Sequence, residues 1–396
     1  MPQQLTYNYS SVAQEVVCAP DAIGGLTGVL DRAGVARAMV VCGPSILEKS
    51  DVVRRVQTAL GNRYVGLFSG VAPHSPVHTL AEARRLAGDL EPDGLVSVGG
   101  GSTHDTTKGI ATLMGEGGSI QDHQVIFEPP DRVILPELSP IRAPIITVPT
   151  TMGGAEFSRG AGFADKDLGR KVLVADPGTI PASIVIDGQA LATTPMSILL
   201  STAMGQMRIA VETVYSTKHN PISDSMALHA ISMLVQYLPQ CPGQDGNPDL
   251  DCLLHTKTAA SLASLAGVGG LGLNTATAHH VGGLYDVPHG DANAIMLPHT
   301  MRFNAEASAD RQALIAQAMG VDTAGMSDYD AALAAANAVE DLRISLGLPG
   351  RLRDVGVPEE GLELIAAATL HDRALATNPR PVTDAGPIMS VLRNSW

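Results

Sequence analysis

Residues 94–102 read Gly-Leu-Val-Ser-Val-Gly-Gly-Gly-Ser, an apolar run followed by three glycines. The apolar run 94–98 predicts a buried β-strand, and the glycines after it predict a tight turn into a helix that begins near His104. Glycine lets a backbone approach a ligand closely, and the free N–H groups at a helix N-terminus favour a pyrophosphate. A turn without a ligand is the alternative, because neither the Gly-x-Gly-x-x-Gly fingerprint nor a Walker loop is present.

Similar apolar runs in the first half of the chain predict further strands, at 38–42, 64–68, 144–148 and 182–186. A helical pattern at 77–90 separates two of them, and this alternation implies parallel strands joined by right-handed crossovers. We therefore predict an α/β Rossmann-like doubly wound domain over residues 1–190. The proline-rich segment 128–138 is predicted as a loop that leaves the sheet.

The pattern changes after residue 190, where β-branched runs nearly vanish and Ala, Leu and Met dominate. This composition predicts an all-helical C-terminal domain over residues 191–396, which we expect to carry the substrate-side residues. The predicted helices are 197–215, 223–238, 254–267, 311–319, 330–346 and 359–368.

Composition limits the class of protein. The chain has 396 residues, a formal net charge of -14 and a pI near 5.2, which argues against nucleic-acid and anionic-membrane partners. The four cysteines are scattered, which favours a reduced protein without disulfides. No secretory signal is visible and no apolar run reaches the roughly 20 residues of a membrane span. We therefore expect a soluble cytoplasmic protein with a small-molecule substrate.

Polar side chains follow the strand 144–148 as well. Thr150 and Thr151 come directly after it, and the carboxyl ends of neighbouring parallel strands form the crevice in which such sheets bind ligands. Asp105 and Lys108 lie three residues apart on the helix after the glycines, so both can face this crevice. An exposed ion pair on the helix surface is the alternative.

Three segments carry a family resemblance. Gly99–Lys108 (GGGSTHDTTK), Pro149–Glu156 (PTTMGGAE) and Tyr285–Asn304 (YDVPHGDANAIMLPHTMRFN) resemble, in this order, three motifs of the iron-containing alcohol dehydrogenase superfamily. The resemblance covers nearly the whole chain. It implies the dehydroquinate synthase-like fold of that family, NAD(P)-dependent oxidoreductase activity and a homodimer.

The resemblance also implies where a nicotinamide cofactor binds. Because residues 43–45 are Gly-Pro-Ser, without the acidic residue that many members use to bind the ribose, either NAD or NADP is compatible with this chain. The matching cofactor-lining positions are Gly99, Gly100, Gly101, Ser102, Asp105, Lys108, Thr150, Thr151 and Lys171.

Several segments are similar to the maleylacetate reductase branch of this superfamily. They are PTTMGGAE, Ala72–Pro76, Ala210–Glu212 and Asn378–Val382. The long excursion from Gly115 to Ile141 resembles other branches instead.

The metal ligands that the resemblance implies are largely missing. Family members usually hold a metal with one Asp and three His, but the first three corresponding positions here are Gly205, Ile209 and Thr275. Only His289 is retained. Glycine and isoleucine cannot coordinate a metal ion, so we predict that none is bound in the usual site.

Without a metal, another electrophile has to stabilise charge on the substrate oxygen. Arg208 lies beside the vacated Ile209 position, although it can also point to solvent. His279 matches the family's non-ligand histidine near the nicotinamide, and we assign His279, His289 and Arg208 as the candidate catalytic residues. The alternative for the histidines is a structural role.

Three functions are consistent with this sequence. The first is a metal-independent NAD(P)H-dependent oxidoreductase that reduces a small, carboxylated carbonyl or enone, in the manner of maleylacetate reductase. The second is a non-redox enzyme, such as a lyase, isomerase or hydrolase, on the same scaffold. The third is a binding protein without catalytic activity. Net turnover of the cofactor separates the first from the other two.

Overall fold

The computed structural model divides the chain into two compact units, Ser11–Pro195 and Met196–Trp396. The residues that it describes are 6–7, 9–11, 13–128, 132–139, 143–165, 170–243 and 246–396. No helix in these ranges is both long and apolar enough to span a membrane.

The strands of the first unit are β1 (Glu15–Ala19), β2 (Ala38–Cys42), β3 (Tyr64–Phe68), β4 (Gly94–Gly99), β5 (Ile126–Glu128), β6 (Arg132–Ile134), β7 (Ile145–Pro149), β8 (Gly160–Asp165), β9 (Arg170–Ala175) and β10 (Ser183–Asp187). Six of them form a parallel sheet in the order β1–β10–β7–β4–β2–β3. The five strands predicted from apolar runs are confirmed to within one residue, and the doubly wound α/β prediction is confirmed. Strand β1, whose residues alternate between half-buried and exposed, was not predicted.

Helices cover both faces of this sheet. They are α1 (Leu26–Ala33), α2 (Pro44–Lys49), α3 (Val52–Leu60), α4 (Val77–Leu90), α5 (Gly101–Glu116) and α6 (Gly188–Ala192). In β2, Val40 joins the core shared with α1 and α3, whereas Met39 and Val41 join the core shared with α4 and α5. A strand buried on both faces is apolar throughout, which is why its sequence shows no alternation.

Two antiparallel hairpins lie outside the main sheet. β8 pairs with β9 over six residue pairs, and β5 pairs with β6 over three. The loop prediction for 128–138 is therefore wrong at β6, because residues 132–134 form a strand against β5; residues 129–131 lie outside the described part of the chain.

The second unit is helical, as predicted. Its helices are α7 (Met196–Tyr215), α8 (Pro221–Tyr237), α9 (Leu250–Ala266), α10 (Leu273–Tyr285), α11 (His289–Asn304), α12 (Ala309–Ala318), α13 (Asp328–Ser345), α14 (Gly361–Thr369) and α15 (Ala385–Ser395). A buried cluster joins α10, α11, α14 and α15. The sequence did not predict α10, α11 and α15 as helices.

Candidate functional site

At Gly99 and Gly100 the glycine loop has little room for a side chain. Gly99 ends β4 with φ of +152°, and a Cβ there would lie 3.0 Å from the Cβ of Thr103. A Cβ on Gly100 would lie 3.0 Å from Cγ2 of Thr151. Helix α5 begins at Gly101, so its first N–H groups and its positive dipole end lie directly after the loop.

Thr150 and Thr151 lie beside this loop, because β4 and β7 are neighbours with Gly99 paired to Pro149. The Thr150 N–H donates to the Gly99 carbonyl at 2.9 Å. Thr150 is buried and Thr151 half-buried. The structure therefore brings the two predicted cofactor segments to one edge of the sheet, where α/β sheets bind nucleotides.

A strained turn contacts the same loop from the segment after β3. His74 and Ser75 both adopt positive φ, at 61° and 49°, which is uncommon for residues other than glycine. The His74 N–H donates to Ser102 Oγ at 3.2 Å, and Ser75 Oγ donates to the Ser102 carbonyl at 2.9 Å. Such a conformation persists only where surrounding contacts hold it, and Ser102 supplies two of these contacts. No feature of the sequence had indicated this strain.

Lys108 has an internal role in the first unit. Its side chain is fully buried, and Nζ donates to the carbonyls of Ala155, Ser158 and Gly160 at 2.6, 2.6 and 3.0 Å. An ammonium group has three donors, so all of them are used inside the protein. Burial lowers the pKa of Lys108, and the nearby Asp105 carboxylate offsets part of this effect.

Asp105 and Lys171 complete this charged group. Asp105 Oδ2 accepts the Gly162 N–H of β8 at 3.2 Å, and burial raises the pKa of Asp105 against the opposing charges of Lys108 and Lys171. Lys171 lies on β9 with an exposed side chain. The exposed ion pair considered for Asp105 and Lys108 is therefore wrong, because Lys108 lies inside the fold.

In the second unit, Arg208 is fixed by two neighbours. Its Nη1 donates to the Thr275 hydroxyl in a short hydrogen bond and lies 3.5 Å from Glu212 Oε2. Thr275 in turn donates to Glu212 Oε2. The Arg208 side chain is only 12% exposed, so the solvent-facing alternative is wrong. Burial lowers the pKa of Arg208, and the Glu212 carboxylate opposes this shift.

Glu212 also caps helix α10. Its Oε1 accepts the N–H groups of Asn274 and Thr275 at 2.8 and 3.2 Å, while Asn378 Oδ1 accepts the Leu273 N–H at 3.1 Å. A carboxylate stabilises a helix N-terminus, because the N–H groups there have no partner within the helix. Glu212 therefore ties the start of α10 to α7.

Helix α10 carries His279 and His280, which meet a carboxylate from a distant segment. His279 Nδ1 lies 2.8 Å from Asp372 Oδ2, and His280 Nε2 lies 3.6 Å from the same atom. His289 begins α11, and its ring centroid lies 6.2 Å from that of His279 in an edge-on arrangement. The structure thus brings together the two predicted catalytic histidines and adds Asp372, which the sequence did not indicate.

The residues at the implied metal positions do not fit an iron ion. Gly205 and Ile209 offer no donor atom, and the Thr275 hydroxyl is engaged by Arg208 and Glu212. Across the described ranges, no group of three or more His, Cys, Asp or Glu side chains could hold a metal.

Comparison with known proteins matches both halves of the chain. Residues 13–188 match the family model "Iron-containing alcohol dehydrogenase", and residues 199–396 match "Fe-containing alcohol dehydrogenase family, C-terminal". The solved structure of a 1,3-propanediol oxidoreductase aligns with a TM-score of 0.89 at 28% identity, covering 99% of this chain and 100% of that one.

Two characterised relatives span nearly the full length. Lactaldehyde reductase of Escherichia coli (strain K12) is 31% identical, over 95% of this chain and 96% of its own length. Maleylacetate reductase of Burkholderia cepacia is 28% identical, over 93% and 91%. These values do not single out the maleylacetate reductase branch.

The fold, the glycine loop at the edge of the sheet and the full-length matches agree with one another. This chain belongs to the iron-containing alcohol dehydrogenase family and is an NAD(P)-dependent oxidoreductase of that family.

Proposed function

We propose that this enzyme uses NADH or NADPH to reduce a small carbonyl or enone substrate that carries a carboxylate, in the manner of maleylacetate reductase and without a bound metal ion. The observation that supports this proposal is the contact between Arg208 and Thr275. Arg208 is mostly buried, and it donates to Thr275, which occupies a position where the family resemblance implies a metal ligand.

Arg208 has a donor that no described residue uses. Its Nη1 is occupied by Thr275 and Glu212, whereas Nε is buried without a hydrogen-bond partner in the described part of the chain. A guanidinium binds carboxylates and oxyanions with directed hydrogen bonds and keeps its charge at any relevant pH. Glu212 and Thr275 hold it in one orientation, which favours electrostatic stabilisation of developing negative charge.

We assign cofactor binding to the glycine loop and its neighbours. Gly99, Gly100, Gly101 and Ser102 would hold the pyrophosphate at the start of α5, and Thr150 and Thr151 supply hydroxyls beside them. Asp105 contacts the hairpin β8–β9 through Gly162, and Lys171 lies on β9. Lys108 supports residues 155–160 through its three carbonyl contacts. When bound, the reduced nicotinamide supplies a hydride to the substrate carbon.

His279 and His289 are proposed to serve the proton that accompanies this hydride. His279 is half-exposed, so its ring is open to a substrate, and His289 lies edge-on beside it. A homodimer in the cytoplasm, which the family resemblance and composition favour, stays a prediction.

Metal analysis combined with an assay on matched substrates tests the proposal. The purified protein is treated with a chelator, its metal content is measured, and oxidation of NADH and NADPH is followed with small aldehydes and with the same aldehydes bearing a terminal carboxylate. We expect activity to survive chelation and to favour the carboxylated member of each pair.

The variant Arg208→Gln sharpens this test, with Arg54→Gln as control because the Arg54 side chain is 73% exposed. We expect Arg208→Gln to lower kcat/KM for the carboxylated substrate by roughly 10²-fold, because one directed contact between the guanidinium and the substrate carboxylate is lost. Arg54→Gln should stay near the wild-type value. Activity that disappears on chelation and returns with a divalent metal would contradict the proposal. Product formation without net cofactor oxidation would instead indicate a non-redox reaction.

A further inference from the structure

We propose that Asp372 is a positioning residue for His279, fixing the imidazole tautomer that carries its proton on Nδ1 and leaves Nε2 for proton exchange with the substrate. The role of His279 in catalysis rests on the function proposed above, whereas its tautomer is a property of the protein alone.

The geometry of the pair supports a directed hydrogen bond. His279 Nδ1 and Asp372 Oδ2 are 2.8 Å apart, within the range of a charge-assisted bond. The Asp372 side chain is 11% exposed, whereas the His279 side chain is half-exposed, so the carboxylate is the buried partner of the pair. Burial opposes ionisation of Asp372, but hydrogen bonds from His279 and from the Ala374 N–H outweigh it and lower the Asp372 pKa. The carboxylate is therefore an acceptor, and His279 has to donate from Nδ1.

The other oxygen of Asp372 makes a separate hydrogen bond. Oδ1 accepts the Ala374 N–H at 2.8 Å and caps the short helix Arg373–Thr377. This cap fixes the carboxylate independently of the histidine. Asp372 is thus held by its own segment, with one oxygen aimed at α10.

The neighbouring histidines do not compete for this bond. His280 Nε2 is 3.6 Å from Oδ2, too far for a hydrogen bond, and burial lowers the pKa of His280 against the opposing effect of the Asp372 charge. His289 contacts His279 through its ring. In the described part of the chain, no hydrogen bond is seen at His279 Nε2, and half of the side chain is exposed.

With this arrangement, His279 can supply the proton that the substrate oxygen gains in the proposed reduction. As the substrate carbon gains a hydride and the C=O π bond opens, the oxygen takes the proton from Nε2 of the imidazolium. The imidazole that remains is neutral, with its proton on Nδ1 and bonded to Asp372, and solvent returns a proton to Nε2. A carboxylate behind a histidine fixes the tautomer and the ring orientation in this way.

The test compares Asp372→Asn with a matched control. Asparagine keeps an oxygen that can accept the Ala374 N–H, so the helix cap is preserved. Asp224→Asn is the control, because Asp224 Oδ2 lies 3.1 Å from His219 Nδ1 in another His–Asp pair of the same unit; it also weakens an ion pair with Arg311 at 2.7 Å, so it reports the general effect of removing a bonded carboxylate. Neither substitution changes side-chain size appreciably.

Two measurements are made on the full-length protein. Nitrogen-15 NMR of histidine-labelled enzyme near pH 9, where ordinary imidazoles are neutral, reports each tautomer, and the His279 signals are those lost in His279→Gln. The kcat and KM are measured for a carbonyl substrate that the wild type reduces. We expect an Nδ1–H tautomer in the wild type and a shift toward Nε2–H in Asp372→Asn. We also expect a fall in kcat of about 10–100-fold with KM changed less than about threefold, and no such changes in Asp224→Asn.

An Nε2–H tautomer in the wild type, or one that Asp372→Asn leaves unchanged, would overturn the positioning role. A changed tautomer with unchanged kcat would overturn its use in catalysis. If the wild type reduces no carbonyl substrate, the function proposed above fails, and the NMR measurement still decides whether Asp372 sets the tautomer.

Discussion

A lysine without solvent contact is costly unless its charge is compensated, and Lys108 meets this condition through three carbonyls and the nearby Asp105. We expect Lys108→Met to remove these bonds and the larger of the two positive charges that oppose Asp105. The free energy of unfolding should fall by about 3–5 kcal/mol. Urea denaturation measures this change, with the exposed Lys49→Met as the matched control.

The same variant separates two roles of Lys108. A lysine that bound the cofactor directly would lose affinity for NADH on substitution and change stability little. Unchanged stability together with weaker cofactor binding would contradict the supporting role assigned here.

Helices α7 and α11 meet closely at a glycine. A Cβ on Gly290 would overlap the backbone of Ser201, whose hydroxyl also donates to Asp291 at 2.7 Å. Gly290→Ala should therefore force the two helices apart and lower the free energy of unfolding by about 1–3 kcal/mol. Thermal unfolding of the variant checks this expectation.

Gly283 provides the control within α10, since a Cβ there meets nothing within 4 Å. Gly283→Ala should raise stability by about 0.5–1 kcal/mol, because alanine is the better helix former. If Gly290→Ala and Gly283→Ala changed the free energy of unfolding by the same amount, the close contact of Gly290 with Ser201 would not be important for stability.

The regular elements differ in how well the sequence predicts them. Buried strands such as Ala38–Cys42 are short apolar runs between turn residues, and their limits were predicted to within one residue. Helices α10 and α11 were missed because both are buried on most sides and contain glycines, histidines and Pro298, which hide a helical period. Tertiary contacts such as the Glu212 cap support α10 instead.

Distant contacts explain why part of the candidate site was not predicted. Asp372 lies 93 residues from His279, and no local pattern links them. The glycine loop and Thr150 were predicted together because parallel strands bring their carboxyl ends to one edge. The role of Thr275 as a partner of Arg208 likewise needed the fold.

Stability of the entire protein should depend on pH through His299. Burial lowers the pKa of His299 to about 4, and the charge of Arg302 acts in the same direction. Below pH ~6.5 the unfolded chain takes up a proton that the folded protein does not accept until about pH 4, so stability falls as the pH falls through this window.

His299→Gln should remove this contribution and reduce the loss of stability between pH 7 and pH 5. Urea denaturation at both pH values measures the difference, with the exposed His229→Gln as control. An identical pH dependence in the wild type and in both variants would rule out His299 as its source.

The Glu212 carboxylate binds Thr275 and the start of α10 and neutralises Arg208, so one side chain serves both a helix and a charge. Replacing Arg208 alone leaves a buried anion, and replacing Glu212 alone leaves a buried cation and an uncapped helix. The residues at positions 208, 212 and 275 therefore depend on one another. A substitution at one of these positions is expected to require compensating substitutions at the other two, which makes the arrangement hard to alter one residue at a time.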